Sequence, residues 1–265
     1  MSSNKIYLDK YYTSEELADY CINKTYEIIG TENITEVIEP SAGNGSFSNQ
    51  IKDCIAYDIE PEGKNIIKQD FLSLQCDYKK GRLIIGNPPY GSRNTLSVKF
   101  YKKSIQICDY ISFILPISQF NNNMQMYEFD LVYSEDLGIN QYSGRPVHCC
   151  LNIYERNNVG LNKKPRYKLN DVEVLEYRRN GNYVIPDNYD FAMCSWGSSI
   201  GKEIDEEGQY AQESYILIKN DAKKDEIINV MKNTDWKNLY PFVGTPKIQT
   251  WKIVKYLSES VKDIA

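Results

Sequence analysis

The sequence predicts a doubly wound α/β fold with a mostly parallel sheet, on three observations. Short apolar runs recur between turn-forming segments, as in "TEVIEP", "CIAYDI" and "RLIIGN". In the last of these, Leu83, Ile84 and Ile85 follow one another without polar alternation, as expected of a strand covered on both faces. The runs are also separated by crossover-length segments, which favours parallel pairing over hairpins.

The elements follow in order. Residues 14–29 predict a helix, with Ser14 as N-cap and Glu15 and Glu16 in the first turn. Leu17, Tyr20, Cys21, Tyr26 and Ile28 supply its apolar face, and Gly30 stops it. "TEVIEP" is the first strand, and "SAGNGSFSNQI" is a glycine-containing turn that opens a helix. "CIAYDI" is a second strand, "KNIIKQDFL" a third with its loop, and "GRLIIGNPPY" a fourth. Residues 97–108 predict a helix and "DYISFILPISQF" a fifth strand. "EFDLVYS" and "PVHCCLNIYER" are two more, close enough in sequence to form an antiparallel edge. From about residue 157 the texture changes to basic loops, a hairpin built from "YDFAMCSWGSSIGKEI" and "QYAQESYILIKN", and two helices at 222–233 and 247–258. The organisation expected is a domain at 1–155 and a small α+β region at 156–265 that packs against it.

Composition narrows the function classes. With 265 residues, 42% of them hydrophobic, the chain has enough apolar surface for a real core. A net charge of −5 excludes a uniformly basic nucleic-acid binder, so contact with a polyanion has to come from a local patch. Residues 156–179 are the most basic stretch: Arg156, Lys163, Lys164, Arg166, Lys168, Arg178 and Arg179 stand against Asp171, Glu173 and Glu176. Such a run is either a phosphate-contacting patch or a solvated loop face. The seven cysteines form no CxxC pair and His148 is the single histidine, so no metal site is expected. An odd number of cysteines with apolar neighbours, a polar amino terminus and no membrane-length apolar run point to thiols in a reducing cytoplasm.

The candidate site lies where open α/β sheets bind ligands, at the carboxyl ends of the strands. "IEPSAGNGSF" puts Glu39 and a Gly-x-Gly turn between a strand and the next element, so the backbone can approach a ligand closely. The second strand ends in Asp58, placed either for ribose hydroxyls or as a turn carboxylate before Pro61. The third loop carries Asp70, an acceptor for an amine, and Phe71, which either covers a ring or belongs to the core. After the fourth strand, Asn87 stands on a turn stiffened by Pro88 and Pro89 and followed by Tyr90. Four consecutive strands thus end in a polar group.

"EPSAGNGSF" followed by "NPPYG" resembles the S-adenosyl-L-methionine-dependent DNA adenine N6 methyltransferases, and "KYYTSEELADYC" resembles the segment that precedes the cofactor motif in their gamma-ordered members. Those members often have Thr-Pro where this chain has Thr13 and Ser14. The resemblance covers about residues 10–155 and implies a Rossmann-like class I methyltransferase fold, a seven-stranded sheet, mostly parallel with an antiparallel edge, plus a small C-terminal α+β region. It also implies roles. Tyr12 and Thr13 would line the methionine end of S-adenosyl-L-methionine, with Glu39, Ser41, Ala42 and Gly43 forming the turn around it. Asp58 would hold the ribose, and Asp70 with Phe71 the adenine. Asn87, Pro88, Pro89 and Tyr90 would form the catalytic loop, Asn87 also bordering the cofactor.

The same resemblance implies double-stranded DNA with a flipped adenine as substrate, no membrane, and the cytoplasm of a prokaryotic or phage-infected cell; a restriction-enzyme partner is compatible with the sequence and is not fixed by it. RNA adenine methylation, protein glutamine methylation and a catalytically silent DNA-binding subunit are the alternatives. The tail segments "SWGSSIGKEI" and "TPKIQTWKIVKYL", with Trp196, Lys202, Lys247, Trp251 and Lys252, either face a DNA groove or pack locally. A monomer on an asymmetric site and a dimer on a palindrome are both compatible with the sequence.

Overall fold

The computed structural model describes residues 12–142, 145–181, 184–240, 242 and 244–265. Lys10 and Tyr11 of the amino-terminal segment lie outside the described residues. The chain divides into two compact units, residues 1–165 and 166–265.

The first unit is built on the seven-stranded sheet that the apolar runs predict. Its strands are β1 (Glu36–Glu39), β2 (Ile55–Asp58), β3 (Ile66–Lys68), β4 (Arg82–Gly86), β5 (Tyr110–Pro116), β6 (Asp130–Tyr142) and β7 (Arg145–Glu155). They lie in the order β3-β2-β1-β4-β5-β7-β6. The first five are parallel, and β7 runs antiparallel to both β5 and β6. This is the Rossmann-like, mostly parallel sheet with an antiparallel strand near one edge. Strand β4 is buried along its whole length, which explains its lack of alternation. Two clusters flank the sheet, one around Ile84, Phe113 and Tyr154, the other around Leu83, Ile85 and Leu151.

Helix α1 (Glu15–Ile29) starts as expected, with Ser14 accepting the Leu17 N–H at 3.2 Å, but its buried face is Ala18, Cys21, Ile22, Thr25 and Ile29; of the expected face Cys21 is buried, whereas Tyr20 and Ile28 are exposed. Helix α2 (Thr95–Ser104) begins two residues before the predicted start and ends four before the predicted end. The helix expected after "SAGNGS" is absent; residues 43–53 are a chain of turns. The reason is local. Gly43 and Gly45 hold φ of +54° and +90°, and the Ser48 N–H donates to the Glu39 carboxylate at 2.8 Å instead of to a helical carbonyl.

The second unit is a three-stranded antiparallel sheet, β8 (Val172–Arg178), β9 (Phe191–Cys194) and β10 (Gln212–Ile218), in the order β8-β10-β9. The β9–β10 pairing is the predicted hairpin. Strand β8, by contrast, falls in a stretch expected to be loop, and it is held by seven paired residues of β10. Helices α3 (Lys224–Asn233), the one-turn α4 (Trp236–Leu239) and α5 (Thr250–Ser260) complete the unit. They close a core around Trp236, whose indole N–H donates to the Met231 carbonyl at 3.0 Å. Among the described residues no helix is long and apolar enough to cross a membrane.

Candidate active site

Parallel pairing is what assembles the site. Because β1 lies between β2 and β4 and β3 lies beside β2, the carboxyl ends of four strands share one edge of the sheet. Glu39 closes β1, Asp58 closes β2, Asp70 follows β3, and Asn87 follows β4. At that edge lies a cavity of about 290 Å³, just below the range of about 300–1,000 Å³ usual for small-molecule sites. Tyr12, Thr13, Glu39, Ser41, Ala42, Gly43, Asp58, Asp70, Phe71 and Asn87 all line it, as do Pro88 and Pro89. Tyr90 does not; its hydroxyl lies inside the protein, 3.3 Å from Cys149 Sγ.

The wall on the β1 side needs glycine. Gly43 has φ +54°, and a Cβ there would stand 2.9 Å from Tyr12 Cε1, so a side chain would be strained and would collide with the ring. Asp58 ties this turn to its own strand: Oδ2 accepts the Gly43 N–H at 2.8 Å and Oδ1 the Glu60 N–H at 2.7 Å. Asp58 is thus the turn carboxylate of the second reading, and the same side chain borders the cavity. We expect Asp58→Ala to weaken ligand binding here about tenfold or more, the worth of one charge-assisted hydrogen bond, with turnover at saturating ligand changed far less. Calorimetry beside single-turnover kinetics checks this.

Glu39 is 2% exposed, and burial pushes its carboxyl up to about 7 although the Ser48 N–H bonds to it. Asp70 caps the short 3₁₀ turn Phe71–Ser73 by accepting the Leu72 N–H at 2.9 Å. Phe71 is both core and cavity wall. It stacks on Phe100 at 5.6 Å between centroids, and both rings border the cavity. Phe100 and Leu96, one turn apart on α2, are site residues that the sequence analysis misses; the signal for them is the apolar face of the helix following Asn-Pro-Pro-Tyr.

The loop at 87–90 is wired from several sides. The Asn87 amide donates to Thr13 Oγ1 at 3.2 Å, and the Asn87 carbonyl accepts from Ser41 Oγ at 3.3 Å. Ser97 Oγ donates to the Pro89 carbonyl at 3.2 Å, and the Leu96 N–H to the Tyr90 carbonyl at 3.1 Å. Among the described residues no donor reaches the Pro88 carbonyl, alone of the four carbonyls in this loop. The amino-terminal segment joins the same network, because Ser46 Oγ donates to the Thr13 carbonyl at 2.7 Å. Two prolines thus hold one open acceptor beside an oriented amide.

No family model matches the chain. A curated relative, the type II methyltransferase M.CvrRI of Paramecium bursaria Chlorella virus XZ-6E, is 25% identical over 208 residues, 62% of this chain and 53% of that protein. The chain therefore spans about half the length of the curated relative it matches. Among solved structures, the type I restriction-modification system methyltransferase subunit from Streptococcus thermophilus is 12% identical, with 96% of this chain and 58% of that chain covered at a TM-score of 0.42. The 23S rRNA methyltransferase ErmE is also 12% identical, with 58% of this chain and 72% of that chain covered at a TM-score of 0.40. The chain is similar to proteins that carry the name methyltransferase.

Proposed function

We propose that this chain is a site-specific DNA methyltransferase that moves the methyl group of S-adenosyl-L-methionine to the N6 amine of adenine. The observation that carries the reading is the pair of acceptors on the loop after β4: an Asn87 amide oriented by Thr13, and the Pro88 carbonyl, which no donor among the described residues reaches. An exocyclic amine is a poor nucleophile because its lone pair is delocalised into the ring. Two acceptors that hold its two hydrogens let the nitrogen become tetrahedral and free that pair. The rigid Pro-Pro keeps both acceptors in place before the substrate arrives.

The cavity fits this cofactor by the chemistry of its walls. Glu39 offers a carboxylate to the cationic methionine end, beside Tyr12, Thr13, Ser41, Ala42 and Gly43. Asp58 serves the ribose, and Asp70 with Phe71 the adenine. When bound, the cofactor supplies a methyl group on a sulfonium, already electrophilic enough that positioning is most of the catalysis. With Asn87 and Pro88 holding its two hydrogens, the target nitrogen would bond the methyl carbon as the carbon–sulfur bond breaks, the positive charge would pass from sulfur to nitrogen, and one N–H proton would then leave to solvent, giving a secondary amine and a neutral thioether. Tyr90 stacks on the base, which offsets part of the few kcal/mol needed to turn it out of the duplex.

The first unit performs this chemistry, and the region after residue 156 reads the target. Its basic stretch divides in two. Arg156 is engaged internally: it donates to the Cys108 carbonyl at 2.8 Å and pairs with Asp109. Arg178 pairs with Glu176, and Arg179 holds the Gly208 and Gln209 carbonyls. Lys163, Lys164, Arg166 and Lys168 are exposed and remain for backbone phosphates. Replacing Lys163 and Lys164 together by Ala is expected to lower DNA affinity and to flatten the plot of log affinity against log salt by about 1 for each phosphate no longer neutralised, with cofactor affinity unchanged; filter binding at several salt concentrations measures it.

Similarity to a protein named as a type II methyltransferase supports DNA as the substrate; the cytoplasm of a prokaryotic or phage-infected cell belongs to the same proposal. The test is transfer of a labelled methyl group to duplex DNA, single-stranded DNA, RNA and a protein extract in parallel, with digestion of the product. N6-methyladenine from duplex DNA is the expected result. Label in RNA or in protein glutamine alone replaces the substrate, and cofactor binding without transfer identifies a silent subunit.

A further inference from the structure

Beneath the loop at 87–90 lies a short chain of hydroxyl and thiol groups that the chemistry above does not use. Tyr90 Oη is 3.3 Å from Cys149 Sγ, and the Tyr142 hydroxyl is near enough to the same thiol for the two to perturb each other's ionisation. Cys149 is fully buried and Tyr142 nearly so. The thiol is also fixed by the sheet, because Cys149 of β7 pairs with Pro116, the last residue of β5. Burial pushes the thiol and both hydroxyls up, so all three stay protonated at neutral pH and act through hydrogen bonds, not charge. The Tyr90 backbone is held separately, by the Leu96 N–H. The bond at Oη therefore anchors the far end of a ring that also packs against the cluster around Leu83, Ile85 and Leu151.

We infer that Cys149 is a positioning residue for the methyl-transfer site: by bonding the Tyr90 hydroxyl, it fixes the ring on which the target base stacks. The inference rests on the function proposed above, which gives Tyr90 its substrate. A tyrosine held at both its backbone and its hydroxyl has little side-chain freedom left to lose when the base arrives. Cut loose at Oη, the same ring has to be ordered by the base itself.

The test compares wild type, Tyr90→Phe, Cys149→Ala, Cys149→Ser and the Tyr90→Phe/Cys149→Ala double variant on a duplex carrying the site that the wild type methylates. A second duplex carries 2-aminopurine at the target position. Tyr90→Phe and Cys149→Ala are each expected to lower kcat about three- to tenfold, the worth of one neutral hydrogen bond, and to reduce the change in 2-aminopurine emission on binding. Cofactor affinity should hold. The double variant should be no slower than either single one, because both remove the same hydrogen bond, and Cys149→Ser should restore most of the activity. Additive losses, or wild-type kcat and emission in both single variants, overturn the inference. If Cys149→Ala does not fold, Tyr90→Phe decides alone, since it removes one oxygen and nothing else. A wild type that transfers no methyl to DNA overturns the underlying function instead, and so is told apart from an active wild type with indifferent variants.

Discussion

Asn87→Ala is expected to lower the rate of methyl transfer by about 100- to 1,000-fold, the cost of removing one preorganised polar group that acts on the reacting atom. Cofactor affinity should change by no more than about fivefold, since the bond to Thr13 that the variant gives up is worth about 1 kcal/mol at most in a partly exposed setting. The asymmetry follows from where the side chain stands. Asn87 borders the cavity on the β4 side, while Glu39, Ser41, Ala42, Gly43 and Asp58 stand at or just after the ends of β1 and β2, and Thr13 meets Asn87 through one bond of 3.2 Å. Thr13 takes a hydrogen of its amide, which orients the oxygen that the proposed function assigns to the target amine. Asp58→Ala should show the opposite pattern, with binding weakened before rate. Single-turnover transfer and calorimetry on both variants separate the two roles. Loss of cofactor binding in Asn87→Ala, with the fold intact by circular dichroism, would remove Asn87 from the chemistry and leave it as a wall residue.

That pattern rests on strand ends, and strand ends are the part of the site most legible in the sequence. Glu39, Asp58, Asp70 and Asn87 each follow a short apolar run and precede a glycine, proline or aromatic break, so a parallel sheet must bring them to one edge. What the sequence hides is held by contacts that no local period carries. The turns at 43–53 replace a helix because a carboxylate nine residues away takes the Ser48 N–H. Strand β8 alternates only loosely, with Val172, Val174 and Tyr177 among charged residues, and is stabilised by pairing with β10 some forty residues on. The Tyr90–Cys149 bond spans 59 residues, so neither side chain announces it. Arg156 looks basic in a linear reading, yet its guanidinium stacks 4.7 Å from the Phe129 ring centroid and closes a turn. Composition counts charges; only the fold says which of them face water.

Glu39 carries the second large effect, and it is read as a dependence on pH. Its carboxyl is raised from 4.5 to about 7, first by burial, with nearby Asp58 adding to the rise and the bonds from Ser48 opposing it. Because the folded value lies above the unfolded one, the proton stabilises the fold. That contribution is complete below pH 4.5 and is lost as pH rises through about 7. The shift amounts to about 3 kcal/mol. Glu39→Gln keeps the neutral shape without the titration. Its stability relative to wild type, from urea melts of the ligand-free protein, should therefore be flat below pH 4.5 and climb by up to about 3 kcal/mol by pH 8. A flat difference across the whole range would mean that the folded carboxyl ionises normally. The same proton links folding to function. Under the proposed reading a cation of the cofactor faces Glu39 and favours the carboxylate, so binding should release close to one proton near pH 6 and tighten as pH rises toward 8. Calorimetry in two buffers of different ionisation enthalpy counts that proton. Its absence in Glu39→Gln, together with weaker binding, would assign it to this one side chain, buried at the end of β1 where the ligand-free protein holds it against its own stability.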